Sequence, residues 1–440
     1  MRAAIHSSNE PLFHQWMPFT ANRQFQEQPR LIARAEGVYY YNTRGEKLLD
    51  GSSGLYCIPL GHGRREIREA VVKQMEELDY APPFQYGVPA AFRLSTEVAQ
   101  MLPAPLNRVF FACSGSEAVD TALKMAIQYH RARGEGQRMR IIGRERGYHG
   151  VNFGGWSVGG MVANRKAFGV GLPAVSHLRH TVIKENLFQM GEGEGGADLA
   201  DDLERFVNLH GADTIAACIV EPIAGSTGIL VPPKGYLKRL REICTKHGIL
   251  LIFDEVITGF GRTGEAFAAQ TFDVTPDILT MAKAITNGSI PMAAVAVKEE
   301  IQQVIFEAAP AGAIEFAHGY TYSAHPAACA AGLATLKIYR EENTFSRARA
   351  LAPAFLEQIG SFKELPDVID TRGFGLLGAV EIAPKGKPGE RGFGILCKAF
   401  ETGLVLRAAG DSLVLAPPFA ATPDQLNEMT DILRRLIKES

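Results

Sequence analysis

The stretch Ile249–Gly264, ILLIFDEVITGFGRTG, decides how the chain is read. Its first part, ILLIFDEV (Ile249–Val256), stays apolar up to two carboxylates, with no polar alternation, and so predicts a strand buried on both faces. The helical pattern GYLKRLREICTKHG (Gly235–Gly248) leads into it, and a second buried run, IAACIVEP (Ile215–Pro222), precedes that helix. Strand–helix–strand order implies parallel strands joined by helical crossovers. Working outward, RVFFAC (Arg108–Cys113), PDILTMAK (Pro276–Lys283) and MAAVAV (Met292–Val297) are runs of the same kind. The first of them is followed by the helical EAVDTALKMAIQYHRARG (Glu117–Gly134).

The two ends read differently. VYYYNTRGEKLLD (Val38–Asp50) predicts a β-hairpin around Thr43-Arg44-Gly45. SLVLAPP (Ser412–Pro418) predicts a strand, and PDQLNEMTDILRRLIKES (Pro423–Ser440) an amphipathic helix. Both ends are expected to pack together as a smaller α+β domain against the central sheet. The 440 residues suggest two to three domains at about 150 residues each, or one large α/β body with an appendage. The expected division is 1–75 and 330–440 for the small domain and 76–329 for a large α/β domain. GEGEGG (Gly191–Gly196) reads as a surface loop.

Composition narrows the function classes. With 46% hydrophobic and 21% charged residues the chain can build a large core, which excludes overall disorder. Lys+Arg 46 against Asp+Glu 48 gives a net charge of -2, so the basic footprint of a nucleic-acid binder is missing. The start, MRAAIHSSNEPLFHQ, lacks the apolar stretch of an export signal. No apolar run approaches the roughly 20 residues that span a bilayer. The six cysteines (Cys57, Cys113, Cys218, Cys244, Cys329, Cys397) are scattered without a CxxC, as reduced thiols of a cytoplasmic protein are, and a zinc site is not expected.

Several residues could carry chemistry. Lys283, in MAKAITNGSIP, follows a predicted buried strand, where α/β folds place ligands and where a desolvated amine becomes a nucleophile; it also reads as a surface lysine starting a helix. Asp254 and Glu255 end the strand quoted first. Alternation puts Asp254 and Val256 on one side and Glu255 on the other. Asp254 could then pair with a protonated ring nitrogen while Val256 covers the ring, or it could cap the next segment or form a structural ion pair. CSGSEAVDTALKMA (Cys113–Ala126) is a small-residue turn opening a helix near Glu117. Gly115 and Ser116 there offer a phosphate cradle, or the turn is an ordinary Ser/Glu N-cap. Tyr148, flanked by Gly147 and Gly150, is expected on an exposed, sharply turning loop, stacking on a flat ligand or simply packing the loop. In HGYTYSAHP (His318–Pro326), Thr321 and Ser323 could bind phosphate or form a polar turn before a helix.

Two patterns point elsewhere. Gly259–Gly264 fits G-x-G-x-x-G, but the acids precede its first glycine, so a dinucleotide site is not expected. Gly155-Trp156-Ser157-Val158-Gly159 fits G-x-S-x-G without a preceding strand to form the strained elbow. A serine hydrolase built on Ser157 is the alternative from a different class.

The order of these features carries more than any one of them: phosphate turn, aromatic loop, buried strand ending in Asp, lysine after the next strand. In SGSEA, GYHG, EPIAGSTGILVPPKGYL, LLIFDEVITGFGRTG, the Lys283 segment and HGYTYSAHP the chain resembles the class III aminotransferases, pyridoxal-phosphate enzymes of fold type I. The resemblance runs from about Trp16 to the C-terminus. WMPFTANRQF, FQYG, RERGYHGVN, NRKAFG and LRAAGDSLVLAPP are most similar to the β-alanine (ω-amino acid):pyruvate aminotransferases of that class. The resemblance implies that Lys283 binds the pyridoxal phosphate covalently, and that Asp254 keeps the pyridine nitrogen protonated so that the ring acts as an electron sink. It places Tyr148 and Val256 on the two ring faces, Gly115 and Ser116 on the phosphate, and Glu221 near the cofactor hydroxyl. Tyr320 and Thr321 would reach that phosphate from a neighbouring subunit, which implies a homodimer, or a homotetramer, with shared sites. Arg407 would take the substrate carboxylate, and Phe19 and Tyr56 would line the substrate pocket.

The resemblance implies a ping-pong reaction that moves an amino group from an ω-amino acid of the β-alanine type, or another amine donor, to pyruvate, giving an aldehyde or oxo acid and L-alanine. The donor stays open among β-alanine, γ-aminobutyrate, taurine, longer ω-amino acids and simple amines. An aminomutase, racemase or decarboxylase would use the same lysine. One departure bears on the donor: relatives often have Gly-Leu-Trp where this chain has Gly54-Leu55-Tyr56.

Overall fold

A computed structural model describes residue 12 and residues 14–440. The opening stretch MRAAIHSSNEPLFHQ, read above for an export signal, lies almost wholly outside the described residues.

The strand Ile215–Val220 is buried at every position, as its unbroken apolar run requires. It sits inside a seven-stranded sheet in the order Leu106–Ala112, Ala293–Lys298, Ile278–Met281, Leu250–Asp254, Ile215–Val220, Arg140–Arg144, Val175–Leu178. The last five of these run parallel. Ala293–Lys298 is antiparallel to both its neighbours, so six of the seven strands point the same way. The helices Gly115–Ala132 and Tyr236–His247 cross between strands. Arg140–Arg144 and Val175–Leu178 had no expectation attached to them. Each is short and carries polar side chains, so neither gives the apolar run by which the others were read.

The ends do meet. Tyr39–Asn42 and Lys47–Asp50 form the expected hairpin, and Lys47–Asp50 pairs in parallel with Leu404–Val405 near the other end of the chain. A second antiparallel sheet holds Val368–Phe374, Leu377–Ile382, Ser412–Leu415 and Arg407–Ala409. Val38 and Leu49 share one apolar core with Phe355, Leu413, Phe419 and Leu433, the last from the final helix Pro423–Glu439. Leu60 and Ile67, and Leu336 and Tyr339, pack instead into the core of the large sheet.

Strand direction places the chemistry. The C-terminal ends of the parallel strands collect on one edge, where open α/β sheets bind ligands. Asp254 ends one strand, and Glu221, Lys283 and the loop after Arg144 follow three others. The helix Gly115–Ala132 begins at the same edge, two residues earlier than expected, with Ser114 as its N-cap.

Candidate active site

The Asp254 carboxylate is buried, with 5% of the residue exposed. A charge there needs partners, and it has three. Oδ2 lies 2.8 Å from Nδ1 of His149, and Oδ1 accepts from Val256 N–H at 3.1 Å and Thr280 Oγ1 at 3.2 Å. Asp254 is therefore partnered, in the manner of the structural alternative, by a histidine that sequence reading missed. Nε2 of His149 is buried with no hydrogen-bond partner in the protein. Glu255 faces the other way, as alternation predicted, and accepts from Ala268 N–H, Ala269 N–H and Thr258 Oγ1 at 2.6, 2.8 and 2.9 Å. Alternation fails at Val256, because the strand stops at Asp254. Val256 is brought to the same pocket by the turn, and its methyls would lie 3.0 and 3.2 Å from a Cβ on Gly115. A side chain at 115 would press on the residue expected to cover a flat ligand, which would have to give by a few tenths of an ångström.

The loop Gly147–Gly150 is not exposed, contrary to expectation. Tyr148 is half-buried and His149 is buried. Gly150 explains this. It sits at φ +95°, and a Cβ there would fall 2.4 Å from Oγ of Ser116. The glycine lets the loop press onto the first turn of the helix, where Val151 N–H donates to Ser116 Oγ at 3.0 Å. Ser114 Oγ accepts from Glu117 N–H at 3.2 Å, and Cys113 N–H donates to the Glu117 carboxylate at 2.7 Å, so the N-cap reading holds. The N–H groups of Gly115 and Ser116 still begin an 18-residue helix and have no intrahelical acceptor.

Glu221 ties this loop to the rest. Its carboxylate accepts from Tyr148 N–H at 2.9 Å and from Gly225 N–H at 3.1 Å. Burial pushes it up to about 7. Glu255 is likewise pushed up to about 7 by burial. A carboxyl raised in the folded state contributes stability at acid pH that is lost as pH rises from its ordinary 4.5 through about 7. Each is worth on the order of 3 kcal/mol over that window. Denaturant titrations of the cofactor-free chain are expected to show stability falling from pH 5 to pH 7.5, on the scale of the shifted carboxyls. Glu221→Gln should flatten part of that fall, and a parallel profile in the variant would contradict the assignment.

Lys283 opens a short 3-10 turn, Lys283–Thr286, directly after the strand Ile278–Met281. It is half-buried at φ +52°, and its Nζ lies 5.3 Å from the ring centroid of Tyr56. Burial holds its amine below the ordinary value, with Arg407 adding to the effect and the Cys57 and Asp254 side chains opposing it. Tyr56 is 2% exposed and packs among Ile223, Ile257, Val414 and Ala416, where the two sheets meet. Its hydroxyl donates to Gly225 O at 3.3 Å, and Arg407 Nη2 donates to Ser226 O, the next carbonyl, at 3.3 Å. Nε of Arg407 is buried without a partner. Phe19, 75% exposed, sets its ring edge toward Tyr148 at 6.5 Å.

Ten of the twelve expected residues thus lie in one linked set on the sheet edge. Tyr320 and Thr321 do not join it in the same way. Tyr320 OH donates to Glu117 O at 3.2 Å on the helix, while Thr321 is exposed and its carbonyl accepts from Tyr80 OH at 3.0 Å. Ser157 offers no hydrolase. It lies inside the helix Phe153–Val158, its hydroxyl donates to Phe153 O and accepts from Leu172 N–H at 2.8 Å, and no histidine bonds it. Gly259–Gly264 leads into turns and not into a crossover helix. No cluster of three or more metal-ligating side chains occurs among the described residues. No described helix is long and apolar enough to cross a membrane.

Comparison with known proteins gives a consistent picture. The family described as "Aminotransferase class-III" matches residues 20–437. An omega-aminotransferase of Caulobacter vibrioides is 52% identical over 424 residues, 96% of each chain. A beta-alanine--pyruvate aminotransferase of Pseudomonas aeruginosa is 49% identical over 97% of this chain and 95% of that one. The crystal structure of the omega transaminase from Pseudomonas jessenii in complex with PMP superposes with a TM-score of 0.92 at 33% identity, covering 97% of this chain and 96% of that one.

Proposed function

The chain belongs to the class III aminotransferases, and from that membership we propose that it carries an amino group from an ω-amino acid of the β-alanine type to pyruvate, releasing L-alanine. The family works with pyridoxal phosphate, and the residues here suit that group. Gly115 leaves Val256 room that a side chain at 115 would crowd, the buried Asp254–His149 pair can hold a cationic ring nitrogen, and Lys283 is a desolvated amine. When bound, pyridoxal phosphate supplies an aldehyde carbon and a ring that withdraws electrons from the substrate carbon.

The chain's own residues do the rest. Lys283 Nζ would hold the cofactor and would serve as the base that moves the proton from the substrate carbon. Its lowered pKa keeps more of it neutral near neutral pH, as a base must be. Asp254 would keep a bound ring nitrogen protonated, with His149 fixing the carboxylate. Tyr148 and Val256 would cover the two ring faces. Gly115 and Ser116 take the phosphate at the helix N-terminus, joined by Tyr320 and Thr321 of a second subunit in a homodimer or homotetramer. Glu221 lies toward the cofactor hydroxyl side and holds the Tyr148 and Gly225 backbones. Phe19 and Tyr56 shape the donor pocket.

The observation that carries this reading is the pairing of Lys283 and Arg407 about Tyr56, an amine for the chemistry and a guanidinium for a carboxylate. Arg407→Ala is expected to raise KM for pyruvate by roughly 10- to 100-fold, the worth of a charged hydrogen bond. Steady-state kinetics with pyruvate varied would check it, and an unchanged KM would remove Arg407 from this role. The function itself is tested by a donor panel (β-alanine, γ-aminobutyrate, putrescine, taurine) against pyruvate, scored for L-alanine and followed spectrally through both halves of the ping-pong cycle. Loss of CO2 or inversion at the substrate carbon without alanine formation would favour a decarboxylase or racemase.

A further inference from the structure

Ser53, Gly54, Leu55 and Tyr56 have φ of +46°, +55°, +69° and +67°. The N–H groups of Tyr56 and Cys57 donate to the carbonyls of Ser52 and Ser53, both at 2.8 Å. Four consecutive positive φ values with i to i−4 bonds make one turn of left-handed helix. L-residues avoid it because Cβ crowds the next carbonyl oxygen, and only Gly54 escapes that.

Asp50 holds the turn. Its Oδ1 accepts from Ser52 N–H at 3.0 Å, Ser52 Oγ at 3.2 Å and Gly54 N–H at 3.2 Å, and its Oδ2 lies 2.9 Å from Nε2 of His62. The residue is 0% exposed, so water cannot replace any of these partners. Ser53 Oγ donates to Ala416 O at 2.7 Å, fixing the turn against the second sheet. Downstream, the Asn287 amide accepts from Leu60 N–H and donates to Gly61 O, both at 3.0 Å. Asn287 also ends the turn that Lys283 begins. The segment that follows the strained turn is therefore tied to the lysine turn, and the last side chain of the strained turn, Tyr56, stands under Nζ of Lys283.

Strain of this kind persists where the surroundings over-determine it, and it points to a role. We propose that Asp50, which reaches neither Lys283 nor the pocket, is a positioning residue for donor selection, acting by holding the left-handed turn that sets the Tyr56 ring beside the reacting amine. This rests on the reading of Lys283 and Tyr56 given above.

The test compares Asp50→Ala, which removes the acceptor shared by Ser52 and Gly54, with the parent holoenzyme on a slender donor, β-alanine, and a bulky one, 1-phenylethylamine. With the turn released, the ratio of kcat/KM for the bulky over the slender donor should rise by roughly tenfold. In the cofactor-free chain, alkylation of Cys57 by iodoacetamide, followed by peptide mapping, should speed up by about tenfold as the turn opens locally. If Asp50→Ala does not fold, Ser53→Ala, which loses only the bond to Ala416, should shift both readouts in the same direction. A folded variant whose activity falls equally on both donors, with the ratio unchanged, overturns the proposal, because stability alone would do that. A parent chain inactive on both amines would instead bring down the functional reading, and Cys57 labelling would still report whether Asp50 holds the turn.

Discussion

Lys283→Ala is expected to give a folded chain that turns over β-alanine and pyruvate at least about 10⁴-fold more slowly than the parent. The size follows from two roles meeting in one atom. In the proposed function Nζ both holds the cofactor and moves the proton, and among the described residues the linked set at the sheet edge contains no other lysine to replace it. The loss should fall on kcat, because Arg407 and the Tyr56 wall still bind substrate. Folding should survive. Lys283 sits half-buried with its amine depressed by burial, so removing it relieves a desolvated group. Added small amines should restore part of the proton transfer but not the attachment. Circular dichroism, single-turnover absorbance and amine rescue together check this, and a variant retaining a tenth or more of parental turnover by rough measure would contradict it.

Asp254→Asn is expected to lower kcat by roughly 10²- to 10³-fold with little change in KM. The amide keeps the shape and can still accept from Val256 N–H and Thr280 Oγ1, but it no longer presents a charge to a ring nitrogen. It also faces Nδ1 of His149 without a net charge. His149→Asn should act in the same direction and more weakly, since it acts through the carboxylate. The two losses should not add, because both groups serve one proton. A double variant as impaired as Asp254→Asn alone would support that coupling. A KM effect without a kcat effect would move Asp254 out of the chemistry.

What the sequence disclosed, and what it hid, divides along the range of the interactions. ILLIFDEV and IAACIVEP announced buried strands because every position is apolar, and the observed strands Leu250–Asp254 and Ile215–Val220 sit in the middle of the sheet. Asp254 and Lys283 stood out as ionisable groups at the ends of such runs, but position alone left each a bland alternative, and their expected roles came from the resemblance. Arg140–Arg144 and Val175–Leu178 were not, since short strands with arginine, histidine and serine carry no period. His149 was hidden for a different reason. Its partner is 105 residues away, and nothing next to it in Gly147–Gly150 marks it as paired. The exposed loop expected at Tyr148 came from reading its glycines as solvent turns. In the structure Gly150 is there for close approach to Ser116. The left-handed turn at Ser53–Tyr56 has no sequence signature, as three of its four residues are not glycine. It is imposed by Asp50 and Ala416, which local propensity cannot see.

The most direct test of the whole account is reduction of the cofactor-loaded chain with borohydride, followed by proteolysis and mass mapping. The account predicts a single pyridoxyl adduct, on the peptide containing Met281-Ala282-Lys283, and its absence from Lys283→Ala. An adduct on another lysine of the parent chain, or none, would contradict it.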